Sequence, residues 1–315
     1  MNPLSWHNEL WQQLQQRLNN DTLPHALLLH GPNGVGKRQL GQRLARRLLC
    51  LEPVDGEACG LCRSCRLSSS GGAHPDWMHA EPPEDKNNIL VDQIRELCRE
   101  LSLSAAFDGY RVATIHAADK MNVNAANALL KTLEEPGQGV LILLIAERAG
   151  RLPATIRSRC QPIFCGPPDE AHGLQWLCQH YDGDEARARR ALQLAAGAPL
   201  LALEWLQQDA IDEADRVRDD LVALVEGRGH LIAIWQAWQE IPAERLWRWV
   251  LLDLQQRARE AAGGAQQRLL LLDLQHAAQQ CLRLAATPVR DDLQIWQWLL
   301  QWQQQKTTQV AHGAA

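Results

Sequence analysis

The sequence predicts an α/β domain on a mostly parallel sheet, followed by a half that is all helix. Three observations carry this. An apolar run, Ala26-Leu27-Leu28-Leu29, leads into Gly31-Pro32-Asn33-Gly34-Val35-Gly36-Lys37-Arg38. Further short apolar runs alternate with amphipathic segments, and past Gly166-Pro167-Pro168 only helical signals follow. A strand that feeds a glycine-rich loop and then a helix gathers backbone N–H groups where phosphate oxygens bind, and the lysine adds a point charge. Strands separated by helices after such a loop imply parallel pairing.

The elements follow in order. Residues 27–30 form the first strand, and 38–49 an amphipathic helix leaving the loop. A cysteine-rich module comes next, then His74-Pro75-Asp76-Trp77-Met78-His79, a segment that turns at His74-Pro75-Asp76 and leads into a second strand. Residues 81–88 are polar and contain prolines, the composition of a surface loop. Asp92 is placed to cap a helix through Ile94, Leu97 and Leu101, and residues 111–116 form another strand. Over 122–135, Ala126, Leu129, Leu130 and Leu133 share one helical face, and Pro136 stops the helix. The apolar run 140–146 suits a buried parallel strand. Beyond it, Leu174, Leu177, Cys178 and Tyr181 make a helical stripe, and Asp184 caps the next helix. Nine of the twelve tryptophans lie beyond residue 170, where they fill a core between helices or anchor a subunit interface.

Composition bounds the function. The chain has 315 residues, 46% hydrophobic and 22% charged, enough for two or three domains with ordinary cores. A net charge of −5 argues against a protein that works by coating nucleic acid. No window is apolar enough to span a membrane, and the start lacks the regions of a secretory signal, which predicts a cytoplasmic protein. Four of the nine cysteines cluster as Cys50-x8-Cys59-x2-Cys62-x2-Cys65. In a reducing compartment that spacing reads as a closed, structural zinc site, because short C-x2-C turns deliver thiolates tetrahedrally. An iron–sulfur cluster and free thiols are the alternatives.

Several strings together resemble one family. They are Leu23-Pro24-His25-Ala26-Leu27-Leu28-Leu29-His30-Gly31-Pro32, the four cysteines, His74-Pro75-Asp76, the run from Asn124 through Leu129-Leu130-Lys131-Thr132-Leu133-Glu134-Glu135-Pro136, and Thr155-Ile156-Arg157-Ser158-Arg159-Cys160. Residues 20–165 strongly resemble the AAA+ clamp-loader family of bacterial DNA polymerase III, and within it the delta-prime branch. The resemblance implies an AAA+ P-loop domain over 1–165 with a zinc module at 50–65, a helical lid over 166–207 and a helical collar over 208–315. It also implies a partner set: the other clamp-loader subunits in a hetero-oligomeric ring and, through that complex, the sliding clamp and primed DNA, with no membrane. The subunit would be a wedge without ATPase activity, any polymerase activity belonging to the holoenzyme, and Arg159 would reach the ATP of a neighbour.

The residues themselves bear on ATP. The loop hydroxyl that should ligate Mg²⁺ is replaced by Arg38, a permanent cation with no lone pair. The acidic pair expected after the 112–115 strand falls on His116 and Ala117, with Asp119 matching a later acidic position. The polar sensor falls on Ala146 or Glu147, and the lid arginine on Leu200. Without metal, water activation and charge neutralisation together, no hydrolysis is expected. Gly31, Gly34, Gly36 and Lys37 are then a vestigial phosphate loop: either weak, metal-free nucleotide binding or a purely structural turn. Arg159 has the planar five-donor fork that suits a transferring γ-phosphoryl group. Two rival functions stand beside this one. An autonomous P-loop ATPase would turn over Mg·ATP alone, and a zinc-dependent DNA-binding module would bind duplex tightly and salt-sensitively.

Overall fold

A computed structural model describes residues 3–69, 74–83, 86–107, 109–260, 265–285 and 290–312. The chain divides into two compact units, Met1–Leu203 and Glu204–Ala315.

The first unit begins with α1 (Asn8–Asn19), which buries Trp11 and Leu14. It continues through β1 (Ala26–His30), α2 (Lys37–Leu49), α3 (Arg63–Ser69), β2 (Trp77–Ala80), α4 (Val91–Leu101), β3 (Arg111–Ile115), α5 (Val123–Glu134), β4 (Val140–Ala146), α6 (Ala154–Arg157) and β5 (Gln161–Phe164). Then come α7 (Glu170–His180), α8 (Glu185–Leu194) and α9 (Pro199–Gln207), in which the unit ends.

The five strands pair in the order β2-β3-β4-β1-β5, and every ladder is parallel. The expected α/β sheet is therefore present, with one more strand than the sequence predicts. β5 was hidden by its polar Gln161 and by Pro162, a residue a sheet accepts at its edge, where the missing N–H costs no ladder bond. Burial of both faces explains the continuous apolar letters of β1 and β4, and β3 is buried throughout as well, including Arg111 and Thr114. One face packs Leu28, Ile142 and Leu144 against Ile94 and Leu97 of α4, Leu129 and Leu133 of α5, and Ile156 of α6.

Helix starts follow their caps. Asn122 accepts from Ala125 N at α5, Asp169 from His172 N at α7 and Asp184 from Arg187 N at α8. Asp92 is not the cap of α4: the helix starts one residue earlier, and Gln93 Oε1 instead accepts from Leu90 N at 2.9 Å. In the His74-Pro75-Asp76 turn both polar side chains are buried and hydrogen-bonded, while Pro75 is exposed. His74 Nδ1 accepts from Asp76 N, His74 Nε2 meets Ser64 Oγ at 2.8 Å, and the Asp76 carboxylate accepts from Ala106 N and Phe107 N.

The second unit continues through α10 (Ala210–Glu226), α11 (Leu231–Trp238), α12 (Ala243–Glu260), α13 (Ala265–Leu284) and α14 (Asp291–His312). Its tryptophans form the core. Trp238, Trp247, Trp249, Trp298 and Trp302 are at most 2% exposed, and Trp298 touches three of the others with ring centroids 5.6–6.3 Å apart. A buried indole N–H usually takes a partner; three of these five do, and those of Trp247 and Trp249 find none among the described residues. Trp238 finds Asp220, Trp298 the Leu274 carbonyl and Trp302 the Leu221 carbonyl. No helix among the described residues is long and apolar enough to cross a membrane.

Candidate functional site

The phosphate loop has the fold of a nucleotide cradle and the interior of a closed turn. Gly31 has φ +149° and lies against the sheet edge so closely that a Cβ would sit 2.1 Å from the Cys165 carbonyl oxygen. Gly34, at φ +74°, meets the start of α9: an added Cβ would stand 2.4 Å from Leu201 Cβ, and Leu200 N donates to Gly34 O at 3.1 Å. On the other side Leu4 and His7 cover Gly36, and Trp6 Nε1 donates to Val35 O at 2.9 Å.

Two of the groups a phosphate would use have partners within the loop. Gly34 N–H donates to Asn33 Oδ1 at 2.9 Å. Lys37 is buried, and its Nζ donates to Gly31 O at 2.8 Å and Pro32 O at 2.6 Å. Burial pulls its ammonium below the ordinary lysine range, against the opposing pull of Glu147, Cys165 and Asp119. Arg38 is exposed and paired with Glu81 at 3.0 Å.

The other sequence-predicted positions are also placed. His116 is buried beyond β3, and burial followed by the nearby Arg38 charge pushes its imidazole down to about 4. Ala117 takes a left-handed turn at φ 51°. Asp119 accepts from Glu147 N and Arg148 N, which spends its carboxylate on the backbone after β4. Ala146 ends β4 as a buried residue, while Glu147 is exposed. Leu200 is one of the residues over the loop.

The cysteines converge. The sulfurs of Cys50, Cys59, Cys62 and Cys65 all lie within 4.8 Å of one another, and Cys59 Sγ and Cys65 Sγ are 4.0 Å apart. A tetrahedron with Zn–S near 2.3 Å has sulfur separations of about 3.8 Å. Cys50 closes the far end of α2, and Cys65 sits in α3. Backbone N–H groups aim at the sulfurs, as thiolates demand: Cys59 N at Cys50 Sγ, Cys62 N at Cys59 Sγ and Cys65 N at Cys62 Sγ, at 3.2–3.4 Å. Burial raises the Cys62 thiol, but the N–H groups of Cys65 and Leu51 together with the Cys65 and Cys59 thiols outweigh it and bring it to about 6. Burial raises Cys50 and Cys65. The donor set is all sulfur and fits a metal ion such as zinc.

Arg159 stands at the opposite extreme from Lys37. Ile156 and Cys160 are buried at 0% and 5% exposure, which fixes the backbone on both sides, while Arg157 and Ser158 are exposed and Arg159 is partly so. Burial pushes the Cys160 thiol up to about 11, so it is a neutral core residue. Arg159 Nη1 donates to Thr155 O at 3.0 Å, and Nη2 pairs with Glu134 Oε1. Sequence reasoning missed Glu134 as a partner. It also missed His25, whose Nε2 contacts the Leu133 carbonyl at 3.0 Å and holds the end of α5. Both residues lie in the quoted strings, but only their fold neighbours reveal what they do.

A parallel sheet opened by a glycine-rich loop, with helices and then a small helical segment after it, defines an AAA+-type protein. The family described as DNA polymerase III, delta subunit matches residues 6–168, and the lid domain described as DNA polymerase III subunit delta', AAA+ ATPase lid domain matches 168–207. The chain is 37% identical over 245 residues to DNA polymerase III subunit delta' of Pseudomonas aeruginosa, covering 78% of this chain and 74% of that one. Against the Yersinia pestis protein of the same description it is 35% identical over 300 residues, covering 92% and 86%. Against that of Escherichia coli it is 38% identical over 185 residues, covering 59% and 55%. The chain belongs to the DNA polymerase III subunit delta' family.

Proposed function

We propose that this chain is a non-hydrolysing subunit of the DNA polymerase III clamp loader, which helps place the sliding clamp on primed DNA in replication. It supplies Arg159 in trans to the ATP of a neighbouring subunit. Residues 1–165 act as the AAA+ domain, 166–207 as the lid and 208–315 as the collar that joins the other subunits in a ring. Zn²⁺ held by Cys50, Cys59, Cys62 and Cys65 braces α2 against α3 and has no chemical role, since four protein ligands leave no open position.

The observation that carries the reading is the inward-turned Lys37. Its ammonium is satisfied by the Gly31 and Pro32 carbonyls. A triphosphate arriving there would have to displace those bonds, recover the Gly34 N–H from Asn33 and lift Leu201 and His7 from the loop. It would then meet Arg38 where a magnesium ligand should be. By contrast, Arg159 is accessible and carries the charge that a γ-phosphoryl transition state attracts.

The test uses the chain reconstituted with its ATPase neighbours. Arg159→Ala is expected to lower Mg·ATP turnover of the complex by about 10³-fold, the lower end for trans arginines. The purified chain alone is expected to show no turnover above background. Unchanged turnover of the Arg159→Ala complex contradicts the finger role, and Lys37-dependent hydrolysis by the lone chain returns the reading to an autonomous ATPase.

A further inference from the structure

We infer that Glu134 is a positioning residue for Arg159, so that the carboxylate at the end of α5 presents the guanidinium to the neighbouring subunit's nucleotide. This rests on the finger role proposed above.

The geometry begins with two fixed points. α5 ends at Glu134 because Pro136 cannot continue it, and the His25 ring meets the Leu133 carbonyl at 3.0 Å, so the last turn is held against the sheet domain. Twenty-odd residues later, α6 is nailed down by Ile156, at 0% exposure, and the chain re-enters the core at Cys160. Arg159 is the last residue before that re-entry, and its side chain crosses back to the end of α5.

The guanidinium is tied at both tips. Nη1 donates to Thr155 O at 3.0 Å and approaches Ser158 Oγ at 3.5 Å, while Nη2 pairs with Glu134. A free arginine samples many rotamers, and that freedom must be given up before a fork can meet a phosphate. Anchoring two of its donors in advance removes much of this loss. Of the five N–H donors, Nε and the second hydrogen on Nη2 have no contact of this set and remain for a ligand. The side chains remain 35% and 49% exposed, so an incoming ligand can reach the pair.

A competing role for the carboxylate is to park the arginine and oppose its transfer to phosphate. The second tie decides against this. The Thr155 carbonyl lies in the same turn as Arg159 and gives Nη1 an anchor that does not involve Glu134, so the carboxylate's own contact is with Nη2, the outer half of the fork.

The experiment measures steady-state Mg·ATP turnover of the reconstituted complex containing wild-type chain, Glu134→Ala, Glu134→Gln, Arg159→Ala or the Glu134→Ala/Arg159→Ala double variant. Co-elution and melting are measured on each complex to show that assembly and folding are intact. Glu134→Ala is expected to lower kcat about 2- to 5-fold with the KM for ATP unchanged, the scale of one exposed ion pair. Glu134→Gln keeps an oxygen that accepts from Nη2 and is expected to retain more than half the wild-type rate. In the Arg159→Ala background, removing Glu134 is expected to change nothing further. If Glu134→Ala runs at the wild-type rate or faster, or costs the same factor when Arg159 is already absent, the positioning role is overturned while a slow Arg159→Ala complex leaves the finger role standing. A wild-type rate for Arg159→Ala overturns both.

Discussion

The phosphate loop at residues 31–37 and the turn at 155–160 each hold a cation of the kind a nucleotide site uses, and they hold it in opposite ways. Lys37 is 6% exposed and donates to carbonyls of its own loop, while Leu4 and His7 crowd Gly36 and Leu201 crowds Gly34. Arg159 projects from a turn whose flanks are buried, and its partner is a carboxylate that solvent also reaches. In the loop, interactions that would serve a ligand have become interactions that stabilise the fold. In the turn, the core fixes the backbone and leaves the charge outside. The lysine of the loop is thus tied into its own backbone, while the guanidinium of the turn stays partly open to solvent.

Metal removal should widen this contrast most. Cys50 ends the helix that leaves the phosphate loop, so chelation of bound metal is expected to speed amide exchange in α2 and the loop by about a thousandfold, a loss of about 4 kcal/mol there. The β4 core strand should change far less. Hydrogen exchange read by mass spectrometry checks this, and equal acceleration in both would dissolve the distinction.

Next comes Gly31→Ala, which forces a Cβ toward the Cys165 carbonyl at a positive φ. A loss of about 3 kcal/mol in urea unfolding is expected. Arg159→Ala, in the same assay, should cost less than about 1 kcal/mol, because its ion pair is exposed. Comparable losses for the two would mean the turn is also structural.

The smallest effect is on pH dependence. Burial, opposed by the Val35 carbonyl and reinforced by Arg43, pushes the His7 imidazole over the loop down to about 4. The unfolded chain takes up a proton near pH 6.5 that the folded chain refuses, so this contribution is whole above pH 6.5 and lost as pH falls toward 4. Urea midpoints measured at pH 7 and pH 5 should differ less for His7→Gln than for wild type.

Much of this was readable in the letters because local chemistry wrote it. Apolar runs gave β1 and β4, Asp184 marked the start of its helix, and four cysteines at knuckle spacing met in space. The tryptophans of the second unit do fill its core. What stayed hidden depends on residues far apart in the chain. Nothing near Gly34 announces Leu200 and Leu201, nothing near Arg159 announces Glu134, and the α1 segment masks Trp11 and Leu14 among glutamines. β5 escaped because an edge strand tolerates Gln161 and Pro162. Asp92 looked like a cap and is an ordinary first-turn acid, since Gln93 reaches back instead.

The most direct test sets the two cations against each other in one assay: single-turnover ATP hydrolysis by the reconstituted complex carrying Lys37→Met or Arg159→Ala in this chain. The account predicts a rate indistinguishable from wild type for Lys37→Met and a loss of about 10³-fold for Arg159→Ala. A large loss with Lys37→Met, or none with Arg159→Ala, would contradict it.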